Sequence, residues 1–344
     1  MNNAMLPDAL KPLVAELQEA LALEHKFVPN LQLISVSQEG GEITNGIRDG
    51  SAHVLRCLKV WYDLPADVLF TAINYMDCFL TKMRVKPKYM ACISVACFQL
   101  ACTVVPGVAV PDAADLVSIS QCKCSASDLA RMQSIISSKL GICLDRPPIT
   151  SATLVRLYHK LFTAVDASGL YSSVVEESSL HQHLEIIACD TSCANFRPSE
   201  IALVLICSQM DLGVARLPTP HPMITTLMTF ATNLQHLCKI TESNFYRCHE
   251  AVLCIMQRYH AQVQMPYRQR LVWRLSQRTL QYLRPTDKLT MTLPTIDEHG
   301  QLQLPVCARN KPRTMDDWEY LRKFKKLERR WRCLGMSTKF LGPP

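Results

Sequence analysis

Asp77 stands in the setting of a catalytic acid. It lies among Ile73, Met76, Phe79 and Leu80, and a carboxylate surrounded by apolar side chains is where shifted pKa values arise. Acid–base catalysis also needs a second group within reach of the same substrate. No His or other carboxylate shares the helical face of Asp77. None of the ten His forms an H-E-x-x-H or Ser/His/Asp arrangement, and the close pair His181 and His183 points to different sides of any helix. Gly40-Gly41 is a turn signal and not a phosphate-cradling loop. Two cysteine pairs are close enough to raise metal binding, Cys122 with Cys124 and Cys189 with Cys193. A structural zinc site calls for C-x-x-C spacing and a matching second pair, and neither pair shows it. The expectation is therefore no catalytic residue, no metal and no cofactor: this chain is not an enzyme.

The elements around these residues are helices. Period 3.6 dominates and strand-like alternation is almost absent. Val54, Leu55, Leu58, Trp61 and Tyr62 share one helical face. Pro65 opens a second helix striped by Leu69, Ile73, Met76, Leu80 and Met83. A third opens at Pro87 and is apolar nearly all round through Cys102, so other helices must surround it. Pro111 opens a short fourth helix. Ser125 with Asp128 makes a capping box for a fifth, whose inner face is Leu129, Met132, Ile136 and Leu140. Arg146-Pro147-Pro148 reads as a domain linker. Beyond it the pattern returns: a helix around Leu154 to Phe162, a polar Ser/Glu-rich loop through Ser179, a proline-opened apolar helix from Pro198 to Met210, and helices near Met223 to Leu237 and Ser243 to Tyr259. Phe196-Arg197-Pro198 echoes Val85-Lys86-Pro87, which places a buried central helix in each half. The fold class is all-α, with two tandem five-helix domains at 46–146 and 149–262, an N-terminal helical extension at 1–45 and a basic tail at 263–344.

Composition agrees with two buried cores. The 344 residues are 48% apolar and 19% charged, a globular balance. The 16 Cys are scattered through apolar runs and no basic-then-apolar leader opens the chain, which reads as reduced, intracellular thiols. The run from Tyr89 to Val105 nears membrane length, but Ser94, Gln99 and Thr103 interrupt it, so a buried helix is expected. Charge is segregated. From Met265 to Pro344 there are 17 Lys and Arg against 7 Asp and Glu, leaving −3 on residues 1–264. Within the tail, Thr314 and Asp317 cap a helix with Leu321, Phe324, Leu327 and Trp331 along one face. Lys325, Lys326, Arg329 and Arg330 stand among the cations around it. That stretch reads equally as a helix laid on the second domain and as a nuclear-import or partner-binding signal. A membrane-surface or nucleic-acid role is the weaker reading.

Ala72-Ile73-Asn74-Tyr75-Met76-Asp77-Cys78-Phe79-Leu80 resembles the second helix of a cyclin box. The segment from Val110-Pro111 through Leu116-Val117-Ser118-Ile119-Ser120-Gln121, then Ser127-Asp128-Leu129 and Arg131-Met132-Gln133, is similar to the cyclin G branch. So are Phe79-Leu80-Thr81-Lys82-Met83 with Val85-Lys86-Pro87-Lys88, Leu271-Val272-Trp273 with Arg278-Thr279, and Leu293-Pro294-Thr295-Ile296. The resemblance spans roughly residues 12 to 298 and rests on the order and spacing of these pieces together. It implies two cyclin-like domains and a structural ion pair between Arg48 of helix one and Asp77 of helix two. It also implies a kinase contact made by a Lys ending helix three and a Glu in helix five. Those positions fall on Thr103 and Gln133, so both charges are missing. The acidic turn after helix three is replaced by Val104-Val105-Pro106-Gly107. The substrate-docking patch of some cyclins maps to Ile47, Gly50 and Val54: this chain has Ile47-Arg48-Asp49-Gly50-Ser51 where the family has Met-Arg-Ala-Ile-Leu, and Val54 where it later has a Trp. By resemblance the chain is a non-enzymatic regulatory subunit of a cyclin-dependent-type serine/threonine kinase, controlling cell-cycle progression or growth in nucleus and cytoplasm. The rival function is a scaffold for B′ regulatory subunits of protein phosphatase 2A, and a third is an adaptor for transcription factors. Neither a small-molecule substrate nor a membrane is expected as a partner, nor is direct nucleic-acid binding.

Overall fold

Caps and prolines decide where the helices begin. In the computed structural model, which describes residues 10–31, 43–142, 146–217, 221–264, 295–296 and 302–303, α1 (Lys11–Glu24) precedes α2 (Asn45–Trp61). The Thr44 hydroxyl opens α2 by accepting from the Ile47 N–H at 3.3 Å, which satisfies an otherwise orphaned donor. Pro65 is the N-cap of α3 (Ala66–Lys82). A 3₁₀ turn at Pro87–Tyr89 leads into α4 (Met90–Val104), so the helix proper begins three residues after the expected proline start. Asp112 caps α5 (Ala113–Ser120). Ser125 and Asp128 cap α6 (Ala126–Leu140) reciprocally, and Gly141 ends it at φ +62°, a left-handed conformation that suits glycine.

Five main helices follow in the second half: α7 (Ser151–Val165), α9 (Glu177–Ala188), α10 (Pro198–Val214), α11 (Met223–Leu237) and α12 (Glu242–Gln264), with the short α8 (Leu170–Val174) inserted after α7. The polar loop expected up to Ser179 is therefore wrong: α8 and the start of α9 occupy it. Leu180, Leu184 and Ile187 form a buried stripe one and two turns apart, and their burial outweighs the loop-like Glu176-Glu177-Ser178-Ser179 run. Asp166 sets up α8 by accepting from the Tyr171 N–H at 2.6 Å and the Ser168 hydroxyl at 2.8 Å.

Each half is built around its third long helix. α4 touches α2, α3, α5 and α6, while α10 touches α7, α8, α9, α11 and α12. Leu55, Leu69, Met76, Ile93, Phe98 and Leu116 lie in the first core; Leu154, Tyr158, Phe162, Tyr171, Leu203 and Ile206 lie in the second. The 3₁₀ turn and α4 together, Pro87–Val104, are long and apolar enough to cross a membrane, yet most of the stretch is buried in the first core. On α2 the inner face is Arg48, Ala52, Leu55 and Leu58, and Val54 and Trp61 stand only half-buried at its edge. The apolar stripe alone misplaces the helix rotation because it leaves out Arg48, a charged residue that points inward. Apart from helix and turn, the described residues contain one two-residue antiparallel pairing, Thr295–Ile296 with Leu302–Gln303.

Gly213 is needed for close approach. A Cβ there would lie 2.5 Å from Val174 Cβ and 2.7 Å from its carbonyl oxygen. Alanine is the better helix former by about 1 kcal/mol, yet Gly213→Ala is expected to destabilise by roughly 1–3 kcal/mol because α8 must be pushed off α10. Urea unfolding of the pure variant measures it; equal or greater stability would show that α8 moves freely.

Candidate functional site

Arg48, in the first turn of α2, forms a buried fork on Asp77 of α3. Its Nε donates to Asp77 Oδ1 at 2.9 Å and its Nη2 to Oδ2 at 2.6 Å. The two residues are 1% and 3% exposed. Nη1 donates to the Ala188 carbonyl at the end of α9 at 3.0 Å and to Asp49 Oδ1 at 3.3 Å. Asp49 Oδ1 in turn accepts from the Thr191 N–H at 2.9 Å and from its hydroxyl. Burial works against a charged guanidinium, but Asp77 more than offsets it and holds Arg48 above its ordinary pKa. Both oxygens of Asp77 are engaged, so the carboxylate is an anchor and has no oxygen free for substrate.

The network also joins the halves. Ala188 and Thr191 belong to the second, Arg48 and Asp49 to the first. Nearby, Glu185 of α9 accepts from Lys59 Nζ at 2.6 Å and Arg56 Nε at 3.1 Å, both on α2. Asp67 of α3 receives Arg156 of α7 at 2.7 and 2.8 Å. Sequence reasoning missed a further tie: Glu24, 2% exposed, accepts from the Ser199 N–H at 2.6 Å and hydroxyl at 3.1 Å. The last residue of α1 thus supplies a carboxylate to the N-terminus of α10, where orphan N–H groups and the helix dipole favour negative charge.

Thr103 and Gln133 lie on α4 and α6. Thr103 is exposed and its hydroxyl donates to the Leu100 carbonyl of its own helix at 2.7 Å. Gln133 is half-buried, with Nε2 donating to Gln99 Oε1 at 2.5 Å, while Gln99 Nε2 donates to the Pro111 carbonyl at 2.8 Å. Gln99 precedes Thr103 by one turn of α4, so an amide relay links α6, α4 and the segment entering α5. Its one sequence signal was a glutamine inside an otherwise apolar helix.

Ile47, Gly50 and Val54 share a face of α2 and are all half-buried. Ile47 and Val54 pack against the edge of the first core, and nothing lies within 4 Å of a Cβ built on Gly50. The strip is shallow and has no side chain at its centre. Lys325, Lys326, Arg329 and Arg330, with the rest of the stretch expected to be a tail helix, lie outside the described residues.

No catalytic constellation accompanies these features among the described residues. His159 Nδ1 pairs with the Tyr171 hydroxyl at 2.9 Å, and burial lowers the His159 pKa, which favours the neutral ring. His181 faces Glu177 at 3.7 Å, and His183 Nδ1 meets the Ser179 hydroxyl at 3.3 Å. No group of three or more His, Cys, Asp or Glu among the described residues is arranged to hold a metal ion. A cavity of about 80 Å³ beside Arg48 and Asp77, walled by Phe27, Phe70, Ala188 and Phe196, is well below the ~300 Å³ of small-ligand pockets.

Two helical domains, each wrapped around a buried central helix, are joined where Arg48 donates to the Ala188 carbonyl and Asp49 accepts from Thr191. The cyclin N-terminal domain family matches residues 16–145. Cyclin G of Drosophila melanogaster is 42% identical over 305 residues, 85% of this chain and 53% of the fly protein, so the match spans about half of that relative's length. Human Cyclin-G2 is 30% identical over 286 residues, covering 81% of this chain and 79% of the relative. The crystal structure of a viral cyclin from herpesvirus saimiri shares the fold, with a TM-score of 0.52 at 14% identity over 72% of this chain and 99% of the viral one. The chain belongs to the cyclin family, in its cyclin G branch.

Proposed function

We propose that this protein is a non-enzymatic regulatory subunit that binds a cyclin-dependent-type serine/threonine kinase and regulates cell-cycle progression or growth, in nucleus and cytoplasm. The reading rests on one observation above all. α2 to α6 pack around α4 and hold Thr103 at the surface of α4, with Gln133 of α6 tied to it through Gln99. A partner can meet both helices together. One specific observation favours a second reading. Both positions are neutral, and Gln133 Nε2 is occupied by Gln99. Charged hydrogen bonds, about twice as strong as neutral ones, are not available there. On this second reading the chain is a scaffold that recruits protein phosphatase 2A B′ subunits or transcription factors without activating a kinase.

Affinity purification of the tagged full-length protein tests both readings, run beside the double replacement Thr103→Lys with Gln133→Glu. The parent should recover kinase weakly and the double variant roughly tenfold better, the equivalent of ~1.4 kcal/mol. Stoichiometric phosphatase subunits with no kinase in either sample would establish the scaffold instead. Tight recovery of an active kinase by the parent would show that the two charges are not required. Imaging the same tagged protein reads its distribution between nucleus and cytoplasm.

A further inference from the structure

The described residues include thirteen free cysteines. Six are inert by position: burial pushes Cys97, Cys102, Cys189, Cys193, Cys207 and Cys248 above the usual thiol range. Three behave differently because they meet. Cys92 lies in the first turn of α4, and Cys122 and Cys124 lie on the turn between α5 and α6. Gln121, at φ +53°, reverses the chain so that Cys122 Sγ and Cys124 Sγ stand 3.2 Å apart. Cys92 and Cys122 share the first core, Cys124 packs against it, and both turn thiols bear on the titration of Cys92. Cys92 and Cys122 are buried, and Cys124 is half-buried, so the cluster meets solvent at that residue.

We propose that Cys92, Cys122 and Cys124 form an oxidisable thiol site, in which hydrogen peroxide joins Cys92 to a cysteine of the α5–α6 turn as a disulfide. Cys92 is the attacking sulfur. The Cys122 thiol first, and Cys124 after it, hold the Cys92 pKa below the usual thiol range against burial, while Cys122 and Cys124 are raised. The N-terminal end of α4 adds a favourable dipole for a thiolate, and Asp128 is the opposing charge nearby. The Cys92 thiolate attacks one peroxide oxygen, the O–O bond breaks, and hydroxide leaves and takes a proton from solvent. Cys92 is then a sulfenic acid. Attack by the Cys122 or Cys124 sulfur on that centre breaks the S–O bond, and the departing hydroxide takes the attacking thiol's proton as water. In sum, two thiols and one peroxide become one disulfide and two waters. A disulfide brings its two sulfurs to about 2.05 Å. The product closes a loop of about 30 residues and ties α4 to the turn that leads into α6.

Peptide mapping tests the proposal on the full-length protein. After hydrogen peroxide treatment, free thiols are alkylated and the chain is digested with trypsin without reduction. Cleavage after Lys88, Lys123 and Arg131 puts Cys92 and Cys122 in the peptide 89–123 and Cys124 in 124–131. The expected result is either loss of two hydrogens from 89–123, with fragment ions placing the bridge at Cys92 and Cys122, or a bridge from Cys92 to 124–131. An upward shift in Tm should accompany it, reversed by a reducing agent. Cys92→Ser should abolish the bridge, whereas Cys124→Ser should divert it to Cys122. A bridge retained in Cys92→Ser, or oxidation of the exposed Cys57 and Cys254 before the trio, would overturn the proposal. The fragment ions of the unmodified protein decide the matter even if a variant does not fold.

Discussion

Asp77→Ala is expected to destabilise the protein by roughly 3–5 kcal/mol, since it strands a buried guanidinium that has nowhere to lose its charge. Arginine remains protonated at any pH a folded protein survives, so the escape open to a buried Lys or His, a shift to the neutral form, is closed to Arg48. Two of its hydrogen bonds, at 2.9 and 2.6 Å, end on Asp77, and what is left is the Ala188 carbonyl and Asp49. Removing the carboxylate therefore loosens the α2–α3 contact and puts the join to α9 under load. The midpoint of urea unfolding should fall substantially. The paired replacement Arg48→Met with Asp77→Leu separates the charge effect from the packing effect. An apolar pair of similar volume is often neutral or better than a buried ion pair, so it should regain most of the loss. An unchanged midpoint in Asp77→Ala would show that the fork contributes nothing to stability.

Phe98→Ala should cost about as much, roughly 3–5 kcal/mol, by a different route. Phe98 is wholly buried at 0% exposure, midway along the helix that the other four of its domain enclose, with its ring centroid 6.4 Å from that of Tyr62. Truncation removes a large apolar surface and leaves a cavity that helices on every side cannot collapse to fill. Ile135→Ala serves as the contrast. At 39% exposed on α6, it should change stability by less than about 1 kcal/mol, because part of its surface is in water before truncation. Similar losses at the two sites would mean that α4 is not the packed centre of the first half.

The helices legible in advance were those whose signals are local. The Ser125–Asp128 capping box, the prolines ahead of α3 and α4 and at the start of α10, and the all-round apolar run of α4 each follow from groups a few residues apart, so the chain states them directly. α8 and the start of α9 failed the same test. Their Ser and Glu residues favour a loop locally, and the burial of Leu180, Leu184 and Ile187 decides otherwise. On α2, Val54 and Trp61 look as apolar as the true core residues, and the rotation depends on Arg48 reaching α3.

Sequence by itself determined the fold class, the pair of buried central helices, the absence of charge at positions 103 and 133 and, through resemblance, the family. Tertiary structure alone decided what those residues do to one another. Glu24 meets Ser199 across 175 positions of chain, Arg48 reaches Ala188 across 140, Gln133 is held by Gln99, and Cys92 joins the Cys122 and Cys124 turn. Periodicity and capping act over one or two turns of helix, which a reader of the chain can see. Hydrogen bonds and sulfur contacts act over a few ångströms in space, and which distant residues come that close is settled only when the helices pack.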